Sequence, residues 1–193
     1  DHAAGVRAVR EIHQRFCKLL PDELLWVRDK NTGEKLRVKP GVLRESDVAV
    51  GNHVAVSPGA VARFMERFEK VFGPLGKAEA ILATASAHHR LLWIHPFLDG
   101  NGRVARLMSH AQMLNLLDTG GVWSIARGLA RDVETYKALL ANCDLPRRND
   151  LDGRGNLSEE ALVDFTRFFL TTCLDQVRFM EELMQPDRLR TRI

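Results

Sequence analysis

Twelve residues near the middle of the chain concentrate its chemistry: residues 95–106 read His-Pro-Phe-Leu-Asp-Gly-Asn-Gly-Arg-Val-Ala-Arg. A histidine, an aspartate and a glycine-bearing turn stand immediately before a helically spaced apolar run. Gly100 and Gly102 have no side chains to obstruct a ligand and let the backbone aim N–H groups outward. A helix start with free N–H groups and a positive dipole end is an anion site. Arg103 and Arg106, three apart, add two positive charges on one side of the first turn. Asp99 stands where a hard cation, Mg²⁺ before others, would sit between carboxylate and phosphates. His95 is the one group in the segment suited to moving a proton near neutral pH. Together these point to phosphoryl or nucleotidyl transfer. Each part also has a plainer reading, the His-Pro pair as a helix cap and the two arginines as a solvated face.

The elements that must hold this segment read as mostly helical. Val6, Val9, Ile12, His13 and Phe16 recur at helical spacing within residues 3–20, and Pro21 ends the run. Residues 24–58 differ, with turn signals at Asn31-Thr32-Gly33 and Pro40-Gly41. There, Asp47–Val50 and His53–Val56 flank Gly51-Asn52, a hairpin signal. Pro58 opens a helix through Phe72, and Gly73-Pro74-Leu75-Gly76 breaks it. The next runs from about Lys77 to Ile94; the loop Pro96–Gly102 leads into another, to about Leu117, stopped by Thr119-Gly120-Gly121. A helix near Arg131–Asn142 and a polar loop over 144–156 follow. Ser158 is a good N-cap for a last helix to about Met184, with Glu159 and Glu160 in its first turn. Residues 187–193 carry Arg188, Arg190 and Arg192 and read as a solvated tail.

Composition bounds the rest. A chain of 193 residues, 45% hydrophobic and 27% charged, has globular averages and excludes disorder. At that size about 70% of the unfolded chain's surface is buried on folding. The net charge of +3 is too slight for a dedicated nucleic-acid binder. Cys17, Cys143 and Cys173 form no disulfide framework, and no apolar run approaches the ~20 residues that span a bilayer. The expectation is a single mainly α domain over residues 1–193 with a small β-hairpin, in a reducing, cytoplasmic setting, without membrane or nucleic-acid partners. The chain opens on Asp1 rather than Met and reads as helix almost at once, so a piece of a longer protein is expected.

The segment resembles the signature of the Fic (filamentation induced by cAMP) family, HPFx[D/E]GNGRxxR, at every fixed position: His95, Pro96, Phe97, Asp99, Gly100, Asn101, Gly102, Arg103 and Arg106. The helix ending Ala87-His88-His89-Arg90-Leu91-Leu92-Trp93-Ile94 is similar to the one preceding that motif in the family, and Pro40–Arg44 with the following hairpin resembles its target-docking flap. The likeness covers about residues 36–170. It implies a Fic-type helical bundle with a small β-hairpin flap, transferring AMP from ATP to a Ser, Thr or Tyr hydroxyl of a target protein and releasing pyrophosphate. His95 would be the general base and Asp99 the Mg²⁺ holder. Gly100, Asn101, Gly102 and Arg103 would cradle the phosphates, and Arg106 would reach the γ-phosphate end. Phe97 would anchor the loop and Pro96 stiffen it. The flap, at Val50, Gly51, Asn52 and His53, would offer a strand edge to an extended target segment, or else is a structural clip.

Other signals lead elsewhere. Residues 150–161 faintly resemble a calcium loop, but position five is Arg154 and position twelve is Ala161, so no Ca²⁺ site is expected. His88 and His89 read as pocket or core residues rather than zinc ligands, and Trp26, Trp93 and Trp123 as core. Many Fic proteins are inhibited by [S/T]xxxE[G/N], whose Glu pairs with the second motif arginine. No Glu here is followed by Gly or Asn, so Arg106 would take such a Glu from a partner protein or another segment, or is not regulated in this way. Transfer of UMP, phosphocholine or a phosphoryl group is the alternative chemistry, a non-catalytic nucleotide-sensing module the alternative class, and homo-oligomerisation stays open. Gly100 and Gly102 favour AMP transfer, because the kinase-like branch has bulkier residues in that loop.

Overall fold

The computed structural model describes residues 2–29, 32–51, 53–117 and 121–185. Asn31, Asn52, the Thr119-Gly120 stop and the arginine-bearing tail at 187–193, all assigned from sequence, lie outside the described residues.

The first helix, α1 (Val6–Lys18), buries Val9, His13 and Cys17 along one side. It is shorter than expected at both ends, because Ala3–Gly5 form a turn before it and Leu19 caps it. A short 3-10 turn (Asp22–Leu25) leads to β1 (Trp26–Arg28), which pairs antiparallel with β2 (Lys35–Arg37). This hairpin was not expected; its three-residue strands carry too little alternation to announce themselves. Trp26, assigned to the core, is instead 42% exposed, its indole N–H donating to Asp22 Oδ2 at 3.2 Å beneath the Arg37 guanidinium. The expected hairpin is present as β3 (Ala49–Val50) and β4 (His53–Val54), with Val50 opposite His53. Gly51 takes the left-handed φ of 58° that a tight two-residue turn requires.

The helices α2 (Val61–Phe72) and α3 (Lys77–Ile94) follow the sequence closely, Pro58 starting a 3-10 turn into α2. Next, α4 (Asn101–Leu116) begins inside the motif, with Gly100 at its N-cap. The helix expected near 131–142 is α6 (Val133–Asn142), and it is preceded by a short helix that was not expected, α5 (Ile125–Arg131). They break at Asp132, whose carboxylate accepts the Thr135 N–H at 3.2 Å and so caps α6. The last helix is α7 (Glu159–Leu183).

Helices α3 and α4 lie side by side at the centre, and each of their faces has its own core. On one side Met65, Phe68, Leu91, Ile94, Phe97 and Met108 join them to α1 and α2. On the other Ala85, Met113, Trp123, Leu129, Phe165 and Phe169 join them to α5, α6 and α7. Each large side chain buried in this way contributes about 1.5–3 kcal/mol, so the pair carrying the motif loop is held from both sides. Cys17, Cys143 and Cys173 are all buried and free. Among the described residues no helix is long and apolar enough to cross a membrane.

The calcium-loop look-alike turns out to be a capping device. Asp152 is buried, and its carboxylate accepts the N–H groups of Glu159 (2.7 Å), Glu160 (2.9 Å) and Arg148 (3.0 Å) together with the Ser158 hydroxyl. Ser158 in turn accepts the Ala161 N–H at 3.1 Å. These donors, the Glu160 N–H foremost, hold the Asp152 carboxyl at a pKa of about 2, against an ordinary 3.8. A depressed pKa stabilises the fold above the ordinary value and loses that contribution as pH falls through the folded one. Asp152→Asn is therefore expected to lower the melting temperature by a few degrees at pH 7. Thermal melts should show the gap between parent and variant closing as pH falls from about 4 to about 2.

Candidate active site

The chain turns from α3 into α4 through a tight bend at His95. His95 is the one described non-glycine residue with positive φ (54°, ψ 60°), and its N–H still bonds the Leu91 carbonyl at 3.0 Å. A residue after a helix end often takes this conformation, but usually as glycine. A side chain there costs of order 1–3 kcal/mol and persists only where the surroundings over-determine it.

The surroundings do so with three polar side chains, two of them from distant segments. Arg44 is only 4% exposed, and its guanidinium donates to His95 O (2.7 Å), Ile94 O (3.3 Å), Ser46 O (2.9 Å) and Val56 O. Its backbone N–H reaches Pro96 O at 2.9 Å. One buried cation thus ties the histidine turn to both ends of the β3–β4 flap. From α1, His13 lies flat on Phe97 at 3.9 Å, donates through Nε2 to Asp99 O (3.1 Å) and accepts the Gly41 N–H at Nδ1 (2.8 Å). Asn101 folds back on the loop, Oδ1 accepting the Phe97 N–H (2.9 Å) and Nδ2 donating to Phe97 O (2.8 Å). Phe97 itself is fully buried, as an anchor should be.

At the head of α4, Gly100 has φ 85°, and a Cβ there would stand 2.5 Å from the Phe16 ring. Both the backbone and the close approach of α1 therefore require glycine. The Val104 N–H is the first to bond back, to Gly100 O at 3.0 Å. The N–H groups of Asn101, Gly102 and Arg103 have no acceptor within the helix. The Asn101 side chain serves the loop, which leaves its backbone N–H for a ligand. Arg103 and Arg106 diverge: Arg103 leans to Asp99 (3.9 Å) and the Phe16 ring, whereas Arg106 lies over Gly102. Among the described residues no carboxylate forms an ion pair with Arg106, while Asp99 stays half exposed at the loop edge.

Two hollows flank the flap and share His95, Val50 and Val54. The larger, about 760 Å³, runs over Leu92, Leu140 and Leu145. The smaller, about 390 Å³, lies between the two hairpins and ends at Asp99. The His95 ring donates from Nδ1 to Leu92 O at 3.2 Å, leaving Nε2 as its lone-pair nitrogen. Burial pushes its pKa down to about 4, with the Arg44 charge adding to the fall, so the imidazole is neutral at pH 7.

The flap is latched rather than loose. His53 donates from Nε2 to Trp93 O at 2.8 Å and lies 3.5 Å from Asp144 through Nδ1. Asp144 in turn accepts from His89 Nε2 at 2.8 Å. His53, expected at a docking edge, thus spends its ring on anchoring, while Val50 and Val54 remain exposed. The sequence places Arg44 in the run that resembles a docking flap and His13 on the stripe of the first helix, gives neither this tethering part, and does not single out Asp144. Only a polar residue on an apolar helical stripe, in the case of His13, signalled such a part.

A helical pair joined through a strained histidine turn, under a β-hairpin flap, is the architecture these residues define. The chain belongs to the Fic/DOC family, whose sequence profile matches residues 5–113. It is 35% identical to the protein adenylyltransferase Fic of Drosophila erecta and 37% to that of Drosophila ananassae, each over 79 residues. Those matches cover 40% of this chain and 16% of the relatives, so the chain aligns with about a sixth of their length. Its fold is that of a crystal structure of a Fic family protein from Desulfovibrio desulfuricans G20, with a TM-score of 0.66 at 19% identity, over 97% of this chain and 50% of that one.

Asn101→Ala should strand the buried Phe97 N–H and carbonyl, at a cost of about 1–3 kcal/mol. Urea unfolding of parent and variant measures this.

Proposed function

We propose that this chain is a protein adenylyltransferase, moving AMP from ATP to a Ser, Thr or Tyr hydroxyl of a target protein. The observation that carries the reading is His95. A neutral, half-buried imidazole with its free nitrogen at the junction of two hollows stands one short turn from a helix start with unsatisfied N–H groups. The names of the Drosophila relatives support AMP as the transferred group.

The triphosphate binds at the head of α4, where the backbone N–H groups of Asn101, Gly102 and Arg103 and the guanidiniums of Arg103 and Arg106 meet its charge. Arg106 takes the γ-phosphate end. The target lies along the flap and brings its hydroxyl to His95. As the hydroxyl oxygen bonds the α-phosphorus, Nε2 of His95 accepts the proton, the bond to the β-phosphate bridging oxygen breaks, and pyrophosphate leaves with that electron pair. A base with a pKa of about 4 is weak, so it takes the proton only as the new O–P bond forms. The Nδ1 bond to Leu92 O steadies the imidazolium that results. Asp99 suits a cation held mostly by phosphates and water. It is one half-exposed carboxylate, and among the described residues there is no cluster of three metal-ligating side chains. Mg²⁺ there would neutralise phosphate charge.

ATP labelled at the α-phosphorus should mark protein acceptors, while ATP labelled at the γ-phosphorus should not. Label from the γ position would replace this reading with phosphoryl transfer, and label from neither with a nucleotide-sensing module. His95→Ala should bind ATP as the parent does yet transfer roughly 100-fold more slowly or worse. In the parent, the chemical step should hold its rate from pH 8 to below 6 and fall only as His95 protonates near its pKa of about 4. A fall centred on the ordinary histidine value of ~6.5 would remove the His95 imidazole from the role of base.

A further inference from the structure

The hairpin β1–β2 has no part in the reaction above, yet it is built against the motif. Its base is buried: Leu25 and Val38 join Cys17 of α1 in a small core that also takes in Leu98, the variable position between Phe97 and Asp99. Bonds from the Val38 N–H to Leu25 O (2.7 Å) and from the Asp29 N–H to Glu34 O (2.8 Å) hold its register from end to end. Val27 pairs with Leu36 across the strands, and because side chains alternate, Leu25, Val27 and Asp29 share one face. That face leaves the core at Leu25 and passes through half-buried Val27 and Leu36 to Asp29, and these last three line the smaller hollow.

The flap supplies the opposite wall by the same alternation. Val50 and His53 form one cross-strand pair, and His53 is committed to Trp93 and Asp144 on the side of the larger hollow. Ala49 and Val54 form the next pair and face the other way, into the smaller hollow, where Val54 is 77% exposed. The result is a slot with apolar walls, Val27 and Leu36 on one side and Ala49 and Val54 on the other, with His95, Leu98 and Asp99 at its inner end. Exposed Asp47 stands at its edge, while the guanidinium of Arg28 is bent back on its own turn, Nη1 donating to Gly33 O at 3.0 Å. We infer that this slot receives the target chain, and that it fits an extended segment with an apolar side chain beside the acceptor hydroxyl and a lysine or arginine that meets Asp47. This rests on the adenylyltransferase reading, which needs a hydroxyl delivered to Nε2 of His95. A segment laid on the flap alone leaves the Val27–Leu36 pair in water, whereas one laid between the hairpins covers both walls. Because the second wall is anchored on Leu98, the catalytic loop itself sets its distance from His95.

Short synthetic peptides with a central serine, threonine or tyrosine test this, each carrying a benzophenone group for photo-cross-linking. One form has leucine and lysine beside the hydroxyl residue, a second has glutamine for the leucine, and a third has glutamate for the lysine. With the whole chain, Mg²⁺ and ATP labelled at the α-phosphorus, the first form should be the best acceptor. Its kcat/KM should exceed that of the glutamine form about tenfold, because an apolar side chain leaves water. Over the glutamate form the gain should be a few-fold, because an exposed ion pair is weak. Its cross-links should fall on both hairpins, within 26–36 and within 48–54. Leu36→Gln should remove most of the preference for leucine, and Asp47→Lys should reverse the order of the lysine and glutamate forms. Cross-links to the flap with none to β1–β2, or preferences that both variants leave intact, overturn this inference, while label on the peptides still upholds the transferase. Cross-links in the slot with label on no peptide uphold the docking site and overturn the transferase reading. No cross-link in the slot from any peptide overturns the inference. Should Leu36→Gln not fold, the parent's cross-link map and Asp47→Lys decide.

Discussion

The rest of the site depends on a buried guanidinium. Arg44 sits inside the protein with no carboxylate among the described residues bonded to it and makes up for the water it has lost by donating to four carbonyls. Two of those carbonyls belong to the end of α3 and the His95 turn, and two to the segments that begin and end the flap. A cation can be kept in so dry a place only if those carbonyls stay where they are. The strained φ of His95, the entry of the flap and its exit are therefore fixed together. His13 and Asn101 complete the constraint from α1 and α4, so that the loop has its backbone partners before any ligand arrives. Preorganisation of this kind lets a site act without spending binding energy on ordering itself.

The same burial sets the electrostatics. His95 is desolvated, and Arg44 lies on its carbonyl side, so both effects push the ring toward its neutral form, the one that can accept a proton. A few residues further on, the polarity reverses, with an open helix start and two arginines. In the proposed reaction a neutral acceptor beside a positive cradle would separate two tasks: the cradle would take charge, and the imidazole the proton. The chain's modest net charge of +3 conceals this local concentration.

Much of this could be read from the sequence where the information is local. The bounds of α3, the Ser158 cap and the Val50–Val54 turn all follow from neighbours in the chain. The motif also pointed to the family, because histidine, aspartate, two glycines and two arginines stand at its spacing within twelve residues. What could not be read is the set of contacts between distant segments. His13 meets Asp99 across 86 positions, Arg44 meets His95 across 51, and His88 meets Tyr136 across 48. No periodicity or spacing encodes such pairs. The helix α5 was missed because it is only seven residues long. Trp26 was misread because a tryptophan can satisfy its N–H and cover its ring at the surface, with Asp22 and Arg37. Asp152 was read only against a calcium loop, and only the folded chain reveals the helix start it caps.

A crystal structure of the chain with Mg²⁺ and an ATP analogue that cannot be cleaved between the α- and β-phosphates tests the central claim most directly. The account predicts residues 95–102 unmoved, the phosphates on the N–H groups at the head of α4, and the α-phosphorus facing Nε2 of His95 across room for one hydroxyl oxygen. Phosphates bound elsewhere, or a loop that must refold and release Arg44 or Asn101 to receive them, would contradict it.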